Sequence, residues 1–121
     1  MKKKSKNDQT VVKGDVFWFD PLKETKIDGS PLALILSGKL HNEHADHFII
    51  TLVSSKSIAD VRDFFEVLSE VEDKKIKIIT YIIHAVGKES FLKQAKYLGR
   101  LNKEALKKIN EKVKLILELD N

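Results

Sequence analysis

The sequence predicts a mostly-β α+β domain: five or six strands in a compact, mostly antiparallel sheet or small barrel, with one helix at its C-terminal end. Two observations carry that reading. Short runs of β-branched and aromatic residues recur between turn-forming clusters, and after Asn102 the apolar residues switch to a spacing of three and four. With 121 residues and 42% apolar content, one domain can bury its own core.

In chain order, Val11-Val12 and then Val16, Phe17, Trp18 and Phe19 are strand material. Asp20-Pro21 stops this element, because proline has no N–H to give to a ladder. Residues 22–29 form a polar, lysine-containing loop, and Pro31 holds Ser30 extended before an apolar strand over 32–36, closed by Ser37-Gly38. Residues 39–46 read as a polar connection within the run HNEHADH, and 48–53 as a third strand before the turn Ser54-Ser55-Lys56-Ser57. The stretch 58–68 is ambiguous: Ile58, Val61, Phe64, Phe65 and Leu68 have helical spacing, while 64–68 fits a strand equally. Asp73-Lys74-Lys75 reads as a turn, 76–86 as a long strand bent or ended near Gly87, and 88–98 as a short strand or a turn of helix. The last element is a helix capped by Asn102, with Leu106, Ile109, Val113, Ile116 and Leu117 on one face. Its other face, Lys103, Lys107, Lys108, Glu111, Lys112 and Lys114, is charged.

Composition excludes several classes of function. There is no cysteine, so disulfide, thiolate and Cys-zinc chemistry are absent, which fits a reducing cytoplasm and sets the expected location there. No apolar run approaches the roughly 18 residues that cross a bilayer, and no membrane partner is expected. The net charge of +4 favours an anionic partner, but Lys2, Lys3, Lys4 and Lys6 account for about the whole excess. Polar Asn7, Asp8, Gln9 and Thr10 follow them where a secretory leader needs an apolar core. Residues 1–10 are therefore expected to be a flexible basic tail, and 11–121 the domain.

Three stretches together resemble the MazF/PemK-type toxins of bacterial toxin–antitoxin systems. They are GDVFWFD with its following loop, proline and aliphatic strand; IITLVSSK at 49–56; and IIHAVGKESF continuing into YLGRLNKEALKKINEKVKLIL. The resemblance runs from about residue 12 to 119. It implies an SH3-like barrel of the MazF/PemK/CcdB kind, which forms a homodimer, cleaves single-stranded RNA without a metal or other cofactor, and is neutralised by a cognate antitoxin. In that family the key residues are an arginine before the proline and a hydroxyl ending the third strand. Ser54 falls on the hydroxyl position and Lys88 on the lysine of the later turn, but Ser30 stands where the arginine should be and His84 replaces another arginine. The loop before Pro31 is also shorter than the family's.

Metal-free cleavage of RNA uses the substrate's own 2′-hydroxyl, so the protein must align it, move two protons and stabilise charge on phosphorus. A serine supplies a hydrogen bond; it supplies no positive charge. Losing a bidentate arginine costs several kcal/mol unless another cation takes its place, on the order of what one oxyanion donor contributes. The catalytic candidates are therefore Ser54 and His84, whose imidazole titrates near neutrality. Lys23, Lys26, Lys56 and Lys88 are the RNA-binding candidates, with Arg62 as a further replacement cation. Each has a plainer reading: a histidine at a strand end is usually a hydrogen-bonded structural group, and loop lysines are often solvated charges. Trp18 is expected in the core rather than as a base-stacking platform, with either it or the Phe17/Phe19 pair turned outward. His41, His44 and His47 have a spacing that suits a metal on a helical turn, but a polar surface loop is the preferred reading and no metal is expected.

Two other functions share this fold: a degenerate relative that binds antitoxin or nucleic acid without cutting, and a toxin that acts on a protein target such as a topoisomerase.

Overall fold

The computed structural model describes residues 11–19, 31–55 and 64–118. The elements run β1 (Asp15–Trp18), β2 (Leu32–Ile35), α1 (Lys39–His44), β3 (His47–Ser54), β4 (Glu66–Val71), β5 (Lys74–Gly87), α2 (Lys88–Gln94), β6 (Lys96–Arg100) and α3 (Lys103–Leu117). The six strands form one antiparallel sheet in the order β4-β5-β3-β2-β1-β6. That sheet curls until its two ends meet. A Cβ at Gly99 on β6 would lie 2.7 Å from Cγ of Glu72 and 2.9 Å from Cγ2 of Val71, at the β4–β5 turn, so only glycine admits this approach.

Alternation along the strands sorts side chains into two cores. Val16, Leu32, Leu34, Val53, Ile76 and Ile78 point into the barrel, where Ala105 and Ile109 of α3 close it. Phe17, Ala33, Ile35, Phe48 and Ile50 point the other way and are covered by Phe91 of α2. Phe91 is fully buried, edge-on to Phe17 at 5.0 Å and to Phe48 at 5.6 Å. Burial of such a ring contributes about 1.5–3 kcal/mol, which fixes a short helix that could not stand alone. Because both faces of β1 are covered, neither Trp18 nor the phenylalanines turn outward as expected: Phe17 is buried, and Trp18 and Phe19 are half-buried, packed against opposite cores.

Several boundaries differ from expectation for physical reasons. Residues 39–44 are a helix rather than a polar connection, because the Asn42 amide takes the place of an apolar anchor. It is fully buried, donates to the carbonyls of Val11 (3.2 Å) and Ser37 (3.0 Å), and accepts from the Ser37 hydroxyl. Residues 88–98 hold both proposed elements in succession, α2 and then β6. In the stretch 58–68, Leu68 falls within strand β4, while residues 58–63 lie outside the described region. The turn sits one residue earlier than expected, at Glu72 (φ 50°) and Asp73 (φ 65°), the paired left-handed residues of a tight hairpin.

In α3 the Asn102 side chain accepts from the Ala105 N–H at 2.8 Å, as a cap should, and the helix ends at left-handed Glu118. Ile109 is fully buried, yet Leu117 is 52% exposed, since it lies about 100° around the helix from Ile116. Among the described residues no helix is long and apolar enough to cross a membrane.

Candidate functional site

Strand β3 runs from one end of the barrel to the other, and the residues of interest are strung along it. At its far end stands Ser54, buried, with Lys77 of β5 as its register partner and Leu68 of β4 beyond. Directly opposed residues of antiparallel strands share a face, with Cβ atoms about 5 Å apart. Lys77 and Ser54 therefore project side by side. Lys77 is 8% exposed, and its Nζ lies 3.4 Å from Oε1 of Glu66, one diagonal step away on β4. Burying an ammonium costs several kcal/mol unless a counter-charge is close, and Glu66 is that charge. The end of β1 and the start of β2 meet here as well, joined by the Phe19 N–H donating to the Pro31 carbonyl at 3.2 Å.

The other expected site residues lie elsewhere. His84 is opposite Ile50, roughly 13 Å from Ser54 at the usual rise of a strand. General acid–base catalysis needs heavy atoms within about 3 Å, so His84 and Ser54 do not meet on one phosphate within a single chain. Lys88 follows Gly87, which pairs with His47, placing it at the other end of β3, roughly 23 Å from Ser54. Its backbone N–H and its Nζ donate to the carbonyls of Asp46 (3.0 Å) and Ala45 (3.3 Å). It lines an open groove of about 880 Å³ together with Glu43, Asp46, Glu89 and Lys93, a mixed set that does not favour a polyanion. Lys23, Lys26, Lys56, Arg62 and Ser30 lie outside the described residues.

The histidines are only partly gathered. The rings of His41 and His47 meet edge to face at 4.8 Å, His44 is exposed, and no group of three or more metal-ligating side chains exists among the described residues.

Sequence reading missed Lys77. Its signal was one lysine inside the apolar run from Ile76 to Ile83, which a strand pattern absorbs without comment. It also missed what Gly14-Asp15 does. Asp15 is fully buried, accepts from the Val12 N–H at 3.0 Å and from Arg100 Nε at 2.9 Å, and so clamps β1 to β6. The hydrogen bond to Asp15 pushes the Arg100 guanidinium above its usual range, favouring the charged form. Gly14, at φ 99°, accepts from the Leu101 N–H at 3.0 Å, and a Cβ there would sit 3.2 Å from Leu106.

The family model for PemK-like, MazF-like toxins of type II toxin–antitoxin systems matches residues 12–117. The chain belongs to this family. Among solved structures, MazF from Deinococcus radiodurans superposes with a TM-score of 0.69 at 17% identity, over 89% of this chain and 96% of that one. A mycobacterial endoribonuclease gives 0.68 at 19% identity, over 92% and 94%. The same mycobacterial type in complex with its cognate antitoxin gives 0.65 at 19%, over 89% and 93%. At such identities the likeness establishes the fold. No curated protein sequence matches the chain. As a MazF/PemK-like toxin it spends two of its three recognisable motifs on the barrel itself: Gly14-Asp15 and Gly99-Arg100-Leu101 bind each other, whereas the motif ending at Ser54 and Ser55 borders the polar end.

Proposed function

We propose that this toxin is a metal-free endoribonuclease of single-stranded RNA, working in the cytoplasm as a homodimer and held in check by a cognate antitoxin. The observation that carries the reading is Ser54, a buried hydroxyl at the end of β3, on the face it shares with a cation. Two structural relatives, a mycobacterial endoribonuclease and such an enzyme in complex with its cognate antitoxin, support it.

In the proposed reaction the 2′-oxygen of one nucleotide bonds to the adjacent phosphorus, the bond from phosphorus to the 5′-oxygen breaks, the 2′-proton leaves, and the departing 5′-oxygen gains one. Ser54 donates to a phosphate oxygen as charge builds there. With His84 remote from Ser54, its part is confined to binding RNA beyond the scissile phosphate, and Lys23, Lys26, Lys56 and Lys88 are backbone contacts in this reading.

The purified chain should cut a long single-stranded RNA in EDTA and leave 2′,3′-cyclic ends, with Ser54→Ala slower by at least about tenfold, or 1.4 kcal/mol. Intact RNA across many sequences sinks the enzyme. Ser30, in place of the family's arginine, favours a second reading as a degenerate binder. Growth arrest on expression with RNA intact would point instead to a protein target, and no arrest to the binder.

A further inference from the structure

We propose that Lys77 is the cation of the phosphate site at Ser54, doing from β5 what an arginine before Pro31 would otherwise do. The inference rests on the endoribonuclease reading. Three observations point to it. Lys77 and Ser54 are register partners on one face of the sheet, so a lysine chain of about 6 Å reaches past the neighbouring Cβ. Lys77 is buried, yet it lies on the face of β5 opposite Ile76 and Ile78, which fill the barrel core. Finally, this end of the barrel is where β1 finishes, β2 starts and β3 finishes, so a chain phosphate laid against Ser54 lies beside β5 as well.

Glu66 is a counter-charge to Lys77; the Nζ–Oε1 distance of 3.4 Å is longer than the 2.7–2.9 Å of a tight charge-assisted bond, a looseness that suits a lysine shared with a phosphate. Other features carry less. The groove beside Lys88 mixes carboxylates with lysines, and exposed Phe64 already has the Lys112 ammonium 3.1 Å above its ring.

The test separates charge from structure. The double variant Lys77→Met, Glu66→Leu removes the ion pair as a unit and fills its volume with apolar atoms, an exchange that is often neutral or stabilising. It should fold with an unchanged melting profile and cleave at least about a hundredfold more slowly, whereas Lys77→Arg should keep most of the activity. Binding is read separately, on a 2′-O-methyl oligonucleotide pool that cannot be cut. There the slope of log affinity against log salt should fall by about 0.7 in the double variant, the loss of one phosphate contact to a single strand. A folded double variant with wild-type cleavage and slope overturns the inference and leaves the endoribonuclease intact. A wild type that binds the pool but cuts nothing removes the enzyme, and the slope still decides whether Lys77 holds phosphate. No binding by the wild type overturns both.

Discussion

Two ion pairs of the barrel, one joining β1 to β6 and one joining β4 to β5, use the same partners, a carboxylate and a cation, in opposite senses. Between β1 and β6 the carboxylate is fully buried and the cation reaches in from the surface: the Arg100 side chain is 50% exposed and that of Asp15 is 0%. At the Ser54 end both partners are inside, at 9% for Lys77 and 11% for Glu66. Asp15 spends its second oxygen on the backbone N–H of Val12, so the pair locks chain to chain. Lys77 has a hydroxyl, that of Ser54, as its cross-strand neighbour. The difference is between a pair that also binds backbone and a pair set beside a side-chain hydroxyl, the arrangement that the proposed phosphate site requires.

Substitutions can break this contrast. The largest effect is expected from Asp15→Ala, which leaves Arg100 and Val12 without their acceptor and should cost about 3 kcal/mol, read as a drop of about 10 °C in melting temperature. If the paired replacement of Lys77 and Glu66 costs as much, the two ion pairs are alike and the contrast fails. Next comes Gly99→Ala, whose methyl must displace Val71 and Glu72 where the barrel closes, at about 1–3 kcal/mol. Denaturant midpoints should show it without any effect on RNA cleavage by the folded fraction.

A gain is expected from Asp73→Gly. Its φ of 65° strains an aspartate but suits glycine, which should add about 0.5–1 kcal/mol to the urea-unfolding free energy. The smallest effect is alkaline. Burial first, and then the charge of Asp15, raise the Tyr97 hydroxyl above its usual range, so the unfolded chain loses that proton before the folded one. Stability is then full below about pH 10 and declines as pH rises through the ordinary tyrosine range. Tyr97→Phe should lack that component of the decline between pH 9 and 11. Lys13, lowered by burial, tilts the curve the other way and is common to both proteins.

What was legible in the sequence was what is local. Asn102 and the spacing through Ile109 and Val113 announced α3, and the β-branched run at 48–53 announced β3, because cap and periodicity act within a few residues. Helix α1 was hidden since its anchor is an amide, and no hydropathy pattern marks Asn42 as buried. For the candidate site, the family resemblance proposed Ser54, whereas the lysine beside it became visible only from the pairing of β3 with β5. The place of His84, opposite Ile50, comes from that same pairing. Between Thr51 with Ile83 and Leu52 with Ile79, β5 carries three extra residues, Thr80, Tyr81 and Ile82, and the Thr51 hydroxyl lies 2.6 Å from the Ile79 carbonyl and 2.9 Å from that of Ile82 to hold them. No spacing in the sequence reveals that offset.

The Asp15–Arg100 pair joins residues 85 apart in the chain, and β1 takes one of its two neighbours from β6. On a ribosome, where residues emerge at about 5–20 per second, β1 meets β2 early but waits several seconds for β6. Until residues 96–100 and the helix after them are free, one edge of β1 stays open and the barrel cannot shut. A nascent chain of this toxin thus holds an open barrel throughout the synthesis of residues 19–95.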